Sequence, residues 1–269
     1  MSLRQYTPRR NLQRSFTFGQ TLPLYLVFLI ALTLQISYPL LEDEPLRLVT
    51  LAVVYWGAAA MVLHSFYAFG WKFTYRFFII TFTYSLLIEQ IGHRSGWPFG
   101  IYQYDPSLAY QIYSVPLVVP FAWIMISYPI LIVARRVAPK WVFLYGGLGL
   151  MIWDLFLDPQ MVNAGRWSWE ISGATVPFQP MIPLSNAAGW LLTGMGLMAL
   201  LNFTLPKERR KDGISLALPE FFLLWTIFGG LIGNIFFFGY PEIGISVAIL
   251  FSLYLAPYFI AQRLGRSDI

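Results

Sequence analysis

Apolar residues run through the chain in eight long blocks, at residues 19–41, 48–71, 73–91, 115–134, 141–158, 183–205, 214–238 and 243–262, divided by short charged or aromatic clusters. An α-helix needs about 20 apolar residues to cross the ~30 Å hydrocarbon core of a bilayer. The blocks are continuous and do not alternate, which predicts helices with internally satisfied backbones and not the strands of a barrel. The expected fold is therefore all-α: a polytopic bundle of about eight transmembrane helices, read as one integral membrane domain over residues 1–269. The first block is too long for a signal peptide and no small-residue cleavage pattern follows it, so it reads as a retained span.

Composition sharpens this picture. Of 269 residues 57% are hydrophobic and only 12% charged, against about 25% charged in an ordinary soluble domain, which excludes a water-soluble enzyme. The net charge of +5 does not point to nucleic acid, because the basic residues fall between apolar blocks instead of interleaving with polar ones. Fifteen of the 18 Lys and Arg lie at the N-terminus, on alternate connections and at the C-terminus (Arg4, Arg9, Arg10, Arg14, Lys72, Arg76, Arg135, Arg136, Lys140, Lys207, Arg209, Arg210, Lys211, Arg263, Arg266). Arg47, Arg94 and Arg166 occupy the opposite side. Such an imbalance predicts that both termini are cytoplasmic. Zero cysteines and two histidines exclude disulfides, thiolate sites and His-rich iron centres. The chemistry must come from carboxylates, aromatics and amides.

The two longest connections, 92–114 and 159–182, are rich in Trp, Tyr, Gly and Pro and follow the same order. Glu89 precedes Gly100-Ile101-Tyr102-Gln103-Tyr104 by eleven residues, then come Val115-Pro116-Leu117 and, seven after the proline, Trp123. Asp154 precedes Gly165-Arg166-Trp167-Ser168-Trp169 by eleven, then come Ile182-Pro183-Leu184 and, seven after the proline, Trp190. These matches predict a parallel internal repeat of units 77–134 and 141–205, with Glu89 and Asp154 facing one cavity; shared interfacial aromatics and prolines at helix starts are the plainer alternative.

Ionisable groups inside a bilayer are costly and face a bundle interior. Asp154 and Asp158 stand four apart, hence on one helix face, and Pro159 predicts that the helix ends there. Desolvation and mutual repulsion oppose ionising both, so the pair is expected to keep a proton. Helix-end capping is the competing reading. Glu220 fits a helix start, His64 a packing role, and Asp105-Pro106 a turn. Glu89 with His93, or Asp154 with Asp158, offers ligands at helical spacing, yet the acid clusters and basic groups of magnesium-diphosphate sites are missing, so no metal is expected. Trp97, Tyr102, Tyr104, Trp167 and Trp169 suit an interfacial belt or the stabilisation of a cation. Asn186 suits a helix cap or the orienting of a carboxylate or water.

The segments EQIGHRSGWPFGIYQY (89–104), WDLFLDPQM (153–161), GRWSWE (165–170) and IPLSNAAGW (182–190) resemble the membrane carotenoid-biosynthesis family of acyclic carotenoid 1,2-hydratases and bisanhydrobacterioruberin hydratases. The resemblance spans about residues 75–205. It implies an isoprenoid-modifying enzyme of a prokaryotic cytoplasmic membrane that adds water to the terminal double bond of a linear carotenoid without a cofactor. Its partners would be the carotenoid, water, membrane lipid and other carotenoid-biosynthesis enzymes. On this reading Asp154 and Asp158 form the acid pair and Glu89 is the opposing base or water-positioning group, with the donor among them left open. Trp97, Tyr102, Tyr104, Trp123, Trp167, Trp169, Asn186 and Trp190 would bind the substrate. A lycopene-type cyclase, which starts with the same protonation, and a proton-coupled transporter or carotenoid-binding membrane protein are the alternatives.

Overall fold

A computed structural model describes residues 16–207, 210–211 and 213–264. Eight long helices follow the apolar blocks: α1 (Phe18–Ser37), α2 (Asp43–Phe69), α3 (Trp71–Ser95), α4 (Val118–Val137), α5 (Val142–Asn163), α6 (Leu184–Thr204), α7 (Ala217–Phe236) and α8 (Pro241–Arg263). Short strands occupy the two long connections: β1 (Tyr102–Tyr104), β2 (Gln111–Ile112) and β3 (Val115–Pro116) in the first, β4 (Trp167–Trp169), β5 (Thr175–Val176) and β6 (Gln179–Pro183) in the second. Arg4, Arg9, Arg10, Arg14, Arg209 and Arg266, on which part of the orientation reading rests, lie outside the described residues.

Seven of the helices are long and apolar enough to cross a membrane, and the protein is an integral membrane protein. The expected eighth span, α3, is not among the seven. This helix has 25 residues, but Lys72, Arg76, Glu89, His93 and Arg94 along it leave it less apolar than the others. It also runs past the end of its apolar block to Ser95, where Gly96 in the left-handed conformation (φ 73°) closes it. At the other extreme α2 begins early, at Asp43, because Asp43 and Glu44 suit the positive end of the helix dipole.

One expectation is corrected at α5. It does not stop at Asp158 but continues through Pro159 to Asn163. Proline lacks the N–H that would bond the carbonyl four residues back, here that of Leu155. The Gln179 side chain from β6 supplies the donor instead, Nε2 lying 3.3 Å from that carbonyl. Both aspartates therefore sit within the helix, buried, and not at its frayed end.

Helix α4 is the centre of the bundle, buried along most of its length, with α2, α3 and α5 packed around it. Helices α5 and α6 approach closely, and a Cβ on Gly194 would lie 3.1 Å from the Gly147 Cα; small residues allow two membrane helices to pack backbone against backbone. One core runs from Leu24 on α1 to Tyr258 on α8. Large apolar side chains such as Phe203, Phe236 and Leu253 point outward, as a lipid-facing surface requires.

Candidate functional site

The site is built where the two aromatic connections fold over the ends of α3, α4, α5 and α6. Glu89 comes from α3 and is buried. Its Oε2 accepts the Tyr102 and Tyr104 hydroxyls at 2.7 and 2.8 Å, and its Oε1 accepts Trp123 Nε1–H from α4 at 3.1 Å. Alternation along β1 sends Tyr102 and Tyr104 to one face, so a single short strand delivers two donors to one carboxylate. Gly92, one turn beyond Glu89, makes room for them: a Cβ there would come within 2.7 Å of the Phe99 ring and 3.0 Å of the Tyr102 hydroxyl. Burial, reinforced by the charge of Glu89, pushes both phenols well above their ordinary range, so they remain O–H donors.

Asp154 and Asp158 occupy adjacent turns of α5 and share one donor. From α6, Asn186 Nδ2 donates to both, at 3.0 Å to Asp154 Oδ2 and 2.5 Å to Asp158 Oδ2. Trp167 Nε1 of β4 donates to Asp158 Oδ1 at 3.1 Å. Asp154 Oδ1 is buried and receives no donor. The donors are thus unevenly shared: three reach Glu89, two reach Asp158, one reaches Asp154.

Strands β1 and β4 pair antiparallel, Tyr102 with Trp169, Gln103 with Ser168 and Tyr104 with Trp167. Beneath them the rings of Trp123 and Trp190 stack with centroids 4.4 Å apart and planes 10° from parallel. These contacts draw the two connections over one cavity of about 470 Å³. Ten of the eleven residues singled out from the sequence line it: Glu89, Tyr102, Tyr104, Trp123, Asp154, Asp158, Trp167, Trp169, Asn186 and Trp190. Trp97 does not; it is 56% exposed on the surface. The sequence reading missed the apolar part of the lining, notably Phe99, Phe156 and Met161, and all of the contribution from α1 and α7. Nothing in the spacing of those residues distinguishes them from ordinary packing positions.

The remaining polar candidates are structural. Both ring nitrogens of His64 are engaged, Nδ1 by the Tyr128 hydroxyl at 2.7 Å and Nε2 by the Ser215 carbonyl at 2.9 Å. Glu220 accepts the Tyr258 hydroxyl at 2.6 Å in the first turn of α7. Asp105 caps a short 3₁₀ turn, and hydrogen bonds from Ser107 hold its carboxyl below the usual range. His93 packs its ring edge-on to Tyr102. Among the described residues no three His, Asp or Glu side chains gather into a group that could hold a metal ion.

Residues 49–254 match a family described as carotenoid biosynthesis protein. The chain belongs to the carotenoid-biosynthesis family. The matched region contains the carboxylate cluster and both aromatic connections, and leaves out α1. Bisanhydrobacterioruberin hydratase of Haloarcula japonica is 31% identical over 179 residues, 62% of this chain and 58% of the relative. The match thus spans less than two thirds of that relative's length. No solved structure matches the chain.

Proposed function

We propose that this member of the carotenoid-biosynthesis family is a cofactor-independent hydratase, adding water across the terminal double bond of a linear carotenoid. The observation that carries the reading is the uneven sharing of donors among three buried carboxyls in one apolar cavity. A carboxylate offers about four acceptor sites and no donor. Glu89, with three donors, and Asp158, with two, are the ionised members. Asp154, with one donor and a donor-free oxygen, holds the proton. This makes Asp154 the acid, Asp158 the partner that keeps its proton in place, and Asn186 the clamp on both.

In the reaction Asp154 transfers its proton to the less substituted carbon of the terminal trisubstituted alkene. The π pair forms the new C–H bond and leaves a tertiary cation. Cavity aromatics stabilise such a cation by about 0.5–2 kcal/mol each, and the Glu89 carboxylate adds its negative field in a dry site. Water attacks the cation through oxygen and gives up one proton to Glu89, whose Oε1 has a free acceptor site beside Trp123. The product is a tertiary alcohol, and the proton returns from Glu89 to the aspartate pair through cavity water. General acid catalysis of this kind contributes typically 10²–10⁴-fold.

The same reading takes α3 as an eighth span, placing both termini in the cytoplasm, and takes units 77–134 and 141–205 as a parallel repeat within one membrane domain. Support for the repeat comes from the pairing of β1 with β4 about Gln103 and Ser168 and from the stacking of Trp123 on Trp190, which set corresponding residues opposite each other. The test is co-expression with a linear-carotenoid pathway. A product heavier by one water is expected; a product of unchanged mass would instead support the cyclase.

A further inference from the structure

The cavity does not end at the carboxyls. Its lining also includes Met161, Phe156 and residues of α7 from Phe222 to Gly233, a stretch of about 17 Å at 1.5 Å per residue. Four of its lining residues are also open to the outside: Ile36 (51% exposed) on α1, Leu40 (65%) after it, Phe228 (53%) on α7 and Phe237 (47%) after α7. A side chain that lines a cavity and is half exposed stands at its mouth. The mouth therefore lies on the seam between α1 and α7, two helices apolar enough to span the bilayer.

Aromatic contacts bridge the seam at two heights, with Ile36 and Phe228 between them. Near the start of α7, Phe28 of α1 meets Phe221 edge-on with ring centroids 5.9 Å apart; at the other end Tyr38 meets Phe238 at 6.0 Å. Between these contacts α7 presents Gly229, where a Cβ would have only Trp225 Nε1 near it, at 3.8 Å. The neighbouring Gly230 and Gly233 are filled by the Phe156 and Phe238 rings, 2.7 Å from where a Cβ would stand. Gly229 is the glycine of α7 that leaves space instead of receiving a side chain.

We infer that the α1–α7 seam at Gly229 is a lateral port through which the linear carotenoid slides end-first from the lipid to the carboxyl cluster. The inference rests on the carotenoid reading above. Its occupant follows from the chemistry: the port opens among apolar spans, the channel behind it is lined by aliphatic and aromatic groups, and its inner end holds an acid suited to an alkene. A volume of about 470 Å³ lies in the range of a small-ligand pocket. It accommodates the reacting end, while the rest of the chain projects into lipid. Helix α1 precedes the matched region of the family, so one lip of the port is outside the part that defines membership.

The test uses the full-length protein carrying Asp154→Asn, purified in detergent from cells that make a linear carotenoid, with bound pigment read per protein by visible absorption and mass. Adding Gly229→Leu should cut bound pigment at least tenfold, while thermal stability is kept, because leucine favours a helix over glycine and meets open space. Ile249→Trp, on an exposed α8 face away from the cavity, should leave pigment unchanged. If Gly229→Leu aggregates, Ile36→Trp on the opposite lip gives the same reading. Full pigment in the folded lip variants overturns the port. Bound pigment without any hydrated product from the wild type overturns the hydratase and leaves the port to be decided by Gly229→Leu. Absence of pigment and of hydrated product, or lipid acyl chains as the sole occupant, overturns both.

Discussion

Replacing Asp154 by asparagine separates a proton donor from a structural carboxyl. The side chain keeps its shape, and its carbonyl oxygen still accepts the Asn186 N–H now 3.0 Å from Asp154 Oδ2. The new amide nitrogen takes the place of Oδ1, which receives no donor, so no existing hydrogen bond is lost. The number of hydrogen bonds is preserved, so unfolding in detergent should shift by no more than ~1 kcal/mol, the worth of one ordinary hydrogen bond. The transferable proton is gone. Loss of a general acid costs about 10²–10⁴-fold, or about 2.7–5.4 kcal/mol at 1.36 kcal/mol per decade. The assay compares initial rates of water addition to a linear carotenoid in proteoliposomes with thermal unfolding of the same preparations. Activity falling by two decades or more at unchanged stability is the expected result. Full turnover in Asp154→Asn would refute the assignment of the acid, and a parallel collapse of stability and activity would show that the carboxyl is structural.

Two further outcomes follow from the geometry. Below about pH 10, the ordinary phenol value, stability should not respond to Tyr102 and Tyr104. Above it stability should fall with rising pH, because the unfolded chain releases phenol protons that burial and Glu89 make the folded protein retain; Tyr104→Phe should make that alkaline decline shallower in pH-dependent melting curves. Gln179→Leu removes the donor to the Leu155 carbonyl and should lower stability by ~1–3 kcal/mol, the cost of an unsatisfied buried group. Adding Pro159→Ala, which restores the backbone N–H, should recover the loss by the same melting measurement.

Much of this arrangement is legible along the chain because it depends on local periodicity. Apolar blocks fix the helices, the four-residue step from Asp154 to Asp158 fixes their common face, and the two-residue step from Tyr102 to Tyr104 fixes theirs. What escapes is every feature made by partners distant in sequence. The helix passes Pro159 because Gln179, 20 residues later, replaces the lost donor; a rule about the residue before proline contains no such information. The polar content of α3 is visible in the sequence, but its meaning depends on the neighbours that shelter Glu89. Trp97 shares composition and position with the aromatics of the site, yet faces outward. The port joins α1 to α7 from opposite ends of the chain, and Gly229 differs from Gly230 only in what packs against it.

The central claim is that the protein takes a linear carotenoid and water to a tertiary alcohol without a cofactor. Purified protein in liposomes, given a linear carotenoid in water enriched in heavy oxygen and followed by mass spectrometry, tests it directly. One labelled oxygen and the mass of one water gained per reacted end is the predicted result. A carotenoid recovered cyclised at its original mass, or unaltered, would contradict it.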